Sequence, residues 1–345
     1  MRHRRPPVLP RPADNSALLD WLDAGAGHDD VYGDRLSNHL PMAALALHRL
    51  GASPQRLHVW ASAYATRLQP AAAARDWPAG EAWFAQLGRA EAGPAYRDLF
   101  AQWLRHEAAG DVLEAVLPRL MEGCAGAAFH GLIRTAYATE SMHRQELADG
   151  LAHWATTCLP LPASASAPAA AWGDCDETDP AAVLRRLPLP PQPVPGRLIA
   201  DRVGFVAVWP GFIDATAQLR VDRTTLERLA RGAAEMYAAS GNFTVLHLLT
   251  SAHALRVLLP VLDDPLPAVA AYWRAFAAAW AASGARGRGP VPLQPWAHIV
   301  AAATVAEDEH TIKLVDSCRE QHHAYGGGVW RRAASRAVAL NQSAD

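Results

Sequence analysis

The sequence predicts an all-α protein, a large helical domain of packed helical hairpins enclosing a buried His/Lys site. Three observations carry the fold class. Apolar residues recur at helical spacing in segment after segment. N-cap residues, prolines and glycines bracket those segments where a helix should start and stop. Neither hairpin-spaced alternation nor a βαβ pattern interrupts them.

Taken in order, residues 1–27 are expected to be a basic, Pro-rich arm. MRHRRPPVLPRP has no apolar stretch behind it and does not read as a signal peptide. Residues 38–50, NHLPMAALALHRL, have Asn38 as N-cap, Pro41 in the first turn and Gly51 after the end. Ser53 and Pro54 then open a helix running to about Leu68, stopped by Pro70. Further helices are expected over 79–90 and 94–107, then along 111–158. The stretch GCAGAAFHGLIRTAYA (123–138) is rich in small residues that allow close helix approach, so it should be buried. Residues 159–197 change to a Pro/Ala-rich connection between two helical halves, 28–158 and 198–323. The second half resumes with helices at about 224–239, 242–259, 266–283, 295–306 and 308–322, with a loop at 284–290.

Composition removes several functions. The chain has 345 residues, is 50 % hydrophobic and 19 % charged, and carries a net charge of −2. That balance gives no electrostatic case for nucleic acid or an acidic membrane. No uninterrupted apolar run reaches membrane-spanning length. Cys124, Cys158, Cys175 and Cys318 lack CxxC spacing and fit free thiols in a reducing cytoplasm, the expected location. The oligomeric state leaves no mark in the sequence.

Fifteen histidines are unusual. Most should be ordinary surface or core residues, but several sit on apolar helices where an imidazole needs a partner. His39 lies at a helix start, where the dipole favours its neutral, ligand-competent form. His130 occupies the small-residue helix, with Arg134 one turn on. His247 and His253 share one helix; six residues turn it by about 600°, leaving them about 120° apart. His310 precedes Lys313 by three residues and shares its face.

Lys313 is the only lysine; the other 31 of the 32 basic residues are arginine. Arginine stays protonated in proteins, whereas a desolvated lysine can lose its proton. The neutral amine can form a Schiff base or add carbon dioxide to become an anionic carbamate. The absent motifs also narrow the chemistry. GxGxxG, GxxxxGK[ST] and GxSxG are all missing, so NADPH or a flavin would need an unfamiliar site or a partner.

Four blocks in one order, YGDRLSNHLPMAALALHRLGAS (32–53), FHGLIRTAYA (129–138), LHLLTSAHALRVLLP (246–260) and DEHTIKLVD (308–316), together resemble the questin oxidase-like family. The resemblance spans residues 32–316. It implies an oxygenase that cleaves or oxidises an aromatic polyketide or quinone-type substrate with dioxygen. It implies a non-haem Fe(II) held by residues drawn from His39, His130, His247, His253, His310 and a carboxylated Lys313. Five histidines for four imidazole positions leave one in a supporting role, and His247 and His253 are not ranked. Lys313, His310, Tyr32 and Arg134 are the expected catalytic or substrate-contacting residues, with Asn38 and Tyr137 as further supports. Tryptophan and phenylalanine from the helical walls would stack on a flat substrate. The competing readings are a metal-dependent hydrolase using carbamylated lysine, an NADPH-linked Baeyer–Villiger-type monooxygenase, and a scaffold with structural histidines.

Overall fold

A computed structural model describes residues 15–163 and 177–341. It contains sixteen α-helices among the described residues and one two-stranded ribbon. The first helix, α1 (Ser16–Gly25), buries Leu18 and Leu22, each worth about 2 kcal/mol. Residues 1–14 of the expected arm lie outside the described residues, and the rest of it is largely this helix. A short antiparallel hairpin follows, β1 (Val31–Tyr32) with β2 (Leu36–Ser37). Its strands are too short to leave an alternating pattern in the sequence.

The expected hairpin of helices is present as α2 (Leu40–Arg49) and α3 (Pro54–Ala65). Ser53 caps α3 by accepting from the Arg56 N–H at 3.2 Å. His39 rather than Asn38 holds the N-cap position of α2, while the Asn38 side chain accepts from Leu40 N–H at 2.9 Å. The helix expected over 79–90 is absent: only 3-10 turns form at Trp83–Gln86 and Ala90–Ala92. Gly80 and Gly88 have φ near +80°, which breaks the helical course there.

The long helical stretch is three helices, α4 (Gly93–His106) having come before them: α5 (Ala109–Leu120), α6 (His130–Ser141) and α7 (Arg144–Thr157). Left-handed residues, Phe129 and Met142, divide it. Close approach is real. A Cβ on Gly131 would meet Trp154 of α7 at 2.5 Å, so α6 and α7 cross with almost no side chain between them.

The connection holds α8 (Pro180–Arg186), while residues 164–176, including Cys175, lie outside the described residues. Cys124, Cys158 and Cys318 are free and buried. Beyond the connection come α9 (Ile199–Ala207), α10 (Phe212–Thr216), α11 (Thr225–Ser240), α12 (Phe243–Leu258), α13 (Leu266–Ala282), α14 (Trp296–Val305), α15 (Glu309–Tyr325) and α16 (Val329–Asn341). The glycine run 326–328 reads as an end in the sequence, yet α16 resumes behind it and buries Trp330, Ala333, Ala334 and Ala337.

Helix α12 is the hub, packing on α6, α11, α13 and α15, while α15 also packs on α2, α14 and α16. The stretch Phe243–Val261 is long and apolar enough to cross a membrane, but 72 % of it is buried inside the protein. Its apolar character all round follows from being surrounded by helices.

Candidate metal centre

Four helices bring their N-terminal ends to one place. His39 is the N-cap of α2, His130 the first residue of α6, His247 lies in the first turns of α12, and His310 is the second residue of α15. Their rings form a closed circuit. Centroids are 4.5 Å apart for His39–His130, 4.9 Å for His130–His247, 5.5 Å for His247–His310 and 4.7 Å for His310–His39.

Local chemistry sets each ring. The Asn242 side chain caps α12 by accepting from Thr244 and Val245 N–H groups. Asp308 caps α15 the same way, from His310 and Thr311 N–H at 3.2 and 2.8 Å. Before α6, Ala127, Ala128 and Phe129 have φ of 45°, 56° and 67°. Three consecutive non-glycine residues in that region cost about 1–2 kcal/mol each. The strained turn aims the Ala127 carbonyl at His130 Nδ1, 2.5 Å away. The Phe243 carbonyl faces His247 Nδ1 at 2.8 Å, and Asp308 Oδ1 faces His310 Nδ1 at 3.3 Å. Carbonyl and carboxylate oxygens only accept, so these Nδ1 atoms carry protons, and in the neutral rings of His130 and His247 each Nε2 keeps a lone pair.

The two Nε2 lone pairs of His130 and His247 meet little else, while His39 Nδ1 has only the Glu309 carboxylate near it, at 3.5 Å. His130 Nε2, His247 Nε2 and His39 Nδ1 are buried with no hydrogen-bond partner among the described residues. One ligand atom from each of His39, His130 and His310 lies within 4.8 Å of the others. Nitrogens bound about 2.1 Å from one ion would be about 3–4 Å apart, so small side-chain movements close the site.

The electrostatics favour neutral imidazoles. Burial holds His39, His130 and His247 well below the usual histidine range, reinforced by the Lys313 charge and the neighbouring rings. His39 Nδ1 lies 3.5 Å from Glu309 Oε1, a contact that would ordinarily raise a histidine. Burial and the cations outweigh it, and the contact is a neutral ring with its Nδ1 towards the carboxylate. Lys313 is buried to 1 % exposure. Burial brings its ammonium down to about 8, partly offset by Glu309 and Asp308. Burial therefore favours the free amine more than it would be favoured on an exposed lysine.

A cavity of about 280 Å³ opens onto the rings, lined by His39, His130, His247, His310, Glu309, Tyr32 and Phe243 together with Ala127, Ala128 and the 197–202 segment. A family model described as Questin oxidase-like matches residues 36–318. The chain belongs to the questin oxidase-like family. It is therefore an oxidoreductase of oxygenase type, whose chemistry calls for a small-molecule substrate and dioxygen. The match covers all four circuit histidines and Lys313 and ends before α16. No curated protein matches the chain.

In this questin oxidase-like chain the remaining sequence-selected residues fall in different places. Tyr32 lines the cavity. Its hydroxyl accepts from Tyr64 at 3.4 Å, and the Tyr64 hydroxyl accepts from the His39 N–H at 3.1 Å. His253 lies outside the ring circuit: its Nδ1 is 3.1 Å from Ser317 Oγ and its ring sits edge-on to Tyr137. Tyr137 donates to Asp316 Oδ2 at 3.0 Å, and the Asn38 amide donates to Asp29 O at 3.1 Å. Arg134 does not line the cavity. Its guanidinium is fully buried, donates to both Glu146 oxygens at 2.7 and 2.9 Å, and also holds Asp30. Among the described residues the cavity wall holds Phe243 but no tryptophan. Trp60, Trp154, Trp273 and Trp330 are buried core residues.

Sequence reasoning passed over Glu309. It is buried, lines the cavity, and places Oε1 3.5 Å from His39 Nδ1 and 3.8 Å from His310 Nδ1. It reads in the sequence as one of the acids that favour a helix start, the AEDEH run. Its adjacency to His310 was the available signal.

Proposed function

We propose that this protein is a non-haem iron-dependent oxygenase that oxidises or cleaves a flat aromatic substrate, of polyketide or quinone type, with dioxygen. His39, His130, His247 and His310 would hold the metal, with Lys313, carboxylated on its amine, supplying an anionic oxygen. The observation that carries the reading is the convergence on one cavity of four imidazoles, three of them held neutral by burial, with the Nε2 atoms of His130 and His247 left without partners. Imidazole with a carboxylate-type oxygen suits Fe(II) better than thiolate or an all-oxygen shell would. When bound, iron would supply the activation of dioxygen that the side chains cannot.

The chain's own residues do the rest. Hydrogen bonds from Nδ1 to Ala127, Phe243 and Asp308 fix ring orientation, a supporting layer typical of metal sites. Glu309 faces His39 and balances positive charge. Four helix N-termini favour an anion at the centre, which suits a carbamate on Lys313. Phe243 and Tyr32 would flank an aromatic ring, and the apolar wall would hold it against the imidazoles in reacting geometry. The Tyr32 hydroxyl, accepting from Tyr64, is oriented to donate its proton to a substrate oxygen. His253 supports Ser317 and the packing of α12 on α15, and is not a ligand in this reading.

An oxygen-electrode assay with Fe(II)-loaded protein and hydroxylated anthraquinones tests it. Substrate-dependent oxygen uptake should occur and fall at least 100-fold in His247→Ala, while His253→Ala stays within a few-fold of wild type. Uptake that survives His247→Ala, or no uptake with any quinone or phenol tried, would contradict it.

A further inference from the structure

The mouth of the cavity is built from two segments, the hairpin turn between β1 and β2 and the start of α9. Three arginines come to it: Arg35, Arg197 and Arg202. Two of them are committed. Arg35 pairs with Asp201 at 3.4 Å, and Arg197 pairs with Asp34. These crossed pairs tie the two segments together and cancel each other's charge.

Arg202 differs. Its Nε is buried with no hydrogen-bond partner, and it has no ion pair among the described residues. A buried donor in this condition is better satisfied when a ligand accepts from it. Its stem is also positioned. Gly196 has φ of 131°, and a Cβ there would meet Arg202 Cγ at 2.9 Å. The same Cβ would meet Arg202 N and Asp201 Cβ at 2.9 Å, so the bare backbone lets the start of α9, with the Arg202 stem, lie close against it.

The cavity is therefore lined by the imidazoles, by the apolar side chains of Phe243 and Ile199, and by Arg202, whose Nε has no partner. Guanidinium recognises planar oxyanions through paired N–H donors. We propose that the substrate is an amphiphilic anion, an aromatic body on the imidazoles with a carboxylate-class group pairing with Arg202. This deepens the oxygenase reading and rests on it for the identity of the cavity as the substrate site. A bound anion would also explain why the two neighbouring arginines are neutralised by aspartates while Arg202 is not.

The test uses two probes of one shape, 3-hydroxy-2-naphthoate and its neutral 3-hydroxy-2-naphthamide. Binding to metal-free, chelator-treated full-length protein is measured by calorimetry, so that neither probe can bind through a metal. Wild type should bind the carboxylate about 10- to 100-fold more tightly than the amide, the range for one charge-assisted contact. Arg202→Gln should abolish that preference and leave amide affinity within two-fold, which also shows that the variant is folded. Arg202→Lys should restore part of it. Phe243→Ala should weaken both probes alike, placing them in this cavity. Equal affinities in wild type, no binding of either probe, or a preference that survives Arg202→Gln would each overturn the proposal. A preserved preference alongside failed oxygen uptake would instead leave this recognition standing and remove the oxygenase reading.

Discussion

At the level of single residues, the protein separates two histidines that share one helix. His247 and His253 are six positions apart on α12 and face different neighbours, the ring circuit and Ser317. Burial, then the nearby Arg256 and Arg49 charges, hold His253 well below the usual histidine range. The sign of the consequence follows directly. The unfolded residue takes up a proton near pH 6.5 while the folded one stays neutral, so the unfolded state binds more protons below that pH. His253 therefore costs stability as pH falls, by about 1.4 kcal/mol per unit below 6.5 until its folded pKa is reached. Urea unfolding of wild type and His253→Gln, compared at pH 7.5 and 5.5, should show wild type losing ground to the variant. A difference independent of pH would mean that His253 titrates normally. The angular separation of these two residues was legible from helix geometry; which of them faced the cluster was not. That depended on how α12 is rotated among four neighbours, which no local pattern encodes. Glu309 was missed for the same reason: only the fold turns that acid inward.

Among elements, capping and strain do the positioning. Asn242 and Asp308 fix where α12 and α15 begin, and hence where His247 and His310 sit. Arg56 and Trp60 of α3 donate to the carbonyls of Thr304, Ala306 and Glu307, tethering the segment just before α15. The left-handed run Ala127–Phe129 stores strain that the contacts around His130 must offset. Ala128→Gly should relieve part of it, raising metal-free stability by about 0.5–1 kcal/mol after the entropic cost of glycine. The same change should loosen the Ala127 carbonyl from His130 Nδ1 and weaken metal binding several-fold. Urea midpoints and a metal titration check both halves; a loss of stability would contradict the strain assignment. Most long helices were readable, because N-caps and prolines mark them locally. The break at Phe129 was not, since alanine and phenylalanine give no sign of a positive φ.

For the whole molecule, stability depends on a cluster of buried charges that does not line the cavity. Arg134 and Arg97 meet Asp30, Glu146 and Asp149 between α6, α7, α4 and the strand leading to Tyr32. Burial raises all three carboxyls against the opposing pull of Arg134. Removing the arginine strands them, so Arg134→Met should lose about 3–5 kcal/mol of stability. Iron content per folded molecule should hardly change. A selective rise in KM with stability intact would return Arg134 to the substrate-contact role that the sequence suggested. The overall helical class came through clearly in the spacing of apolar residues, whereas the gathering of four helix starts from both sides of the 159–197 connection is a long-range property. The central claim is that the gathered imidazoles and the lone lysine form one metal site. Metal analysis by mass spectrometry of anaerobically purified wild type and Lys313→Arg tests it most directly. The account predicts near-stoichiometric iron in wild type and a loss of most of it in the variant, with the fold retained by circular dichroism. Full iron in Lys313→Arg, or no metal in either protein, would contradict it.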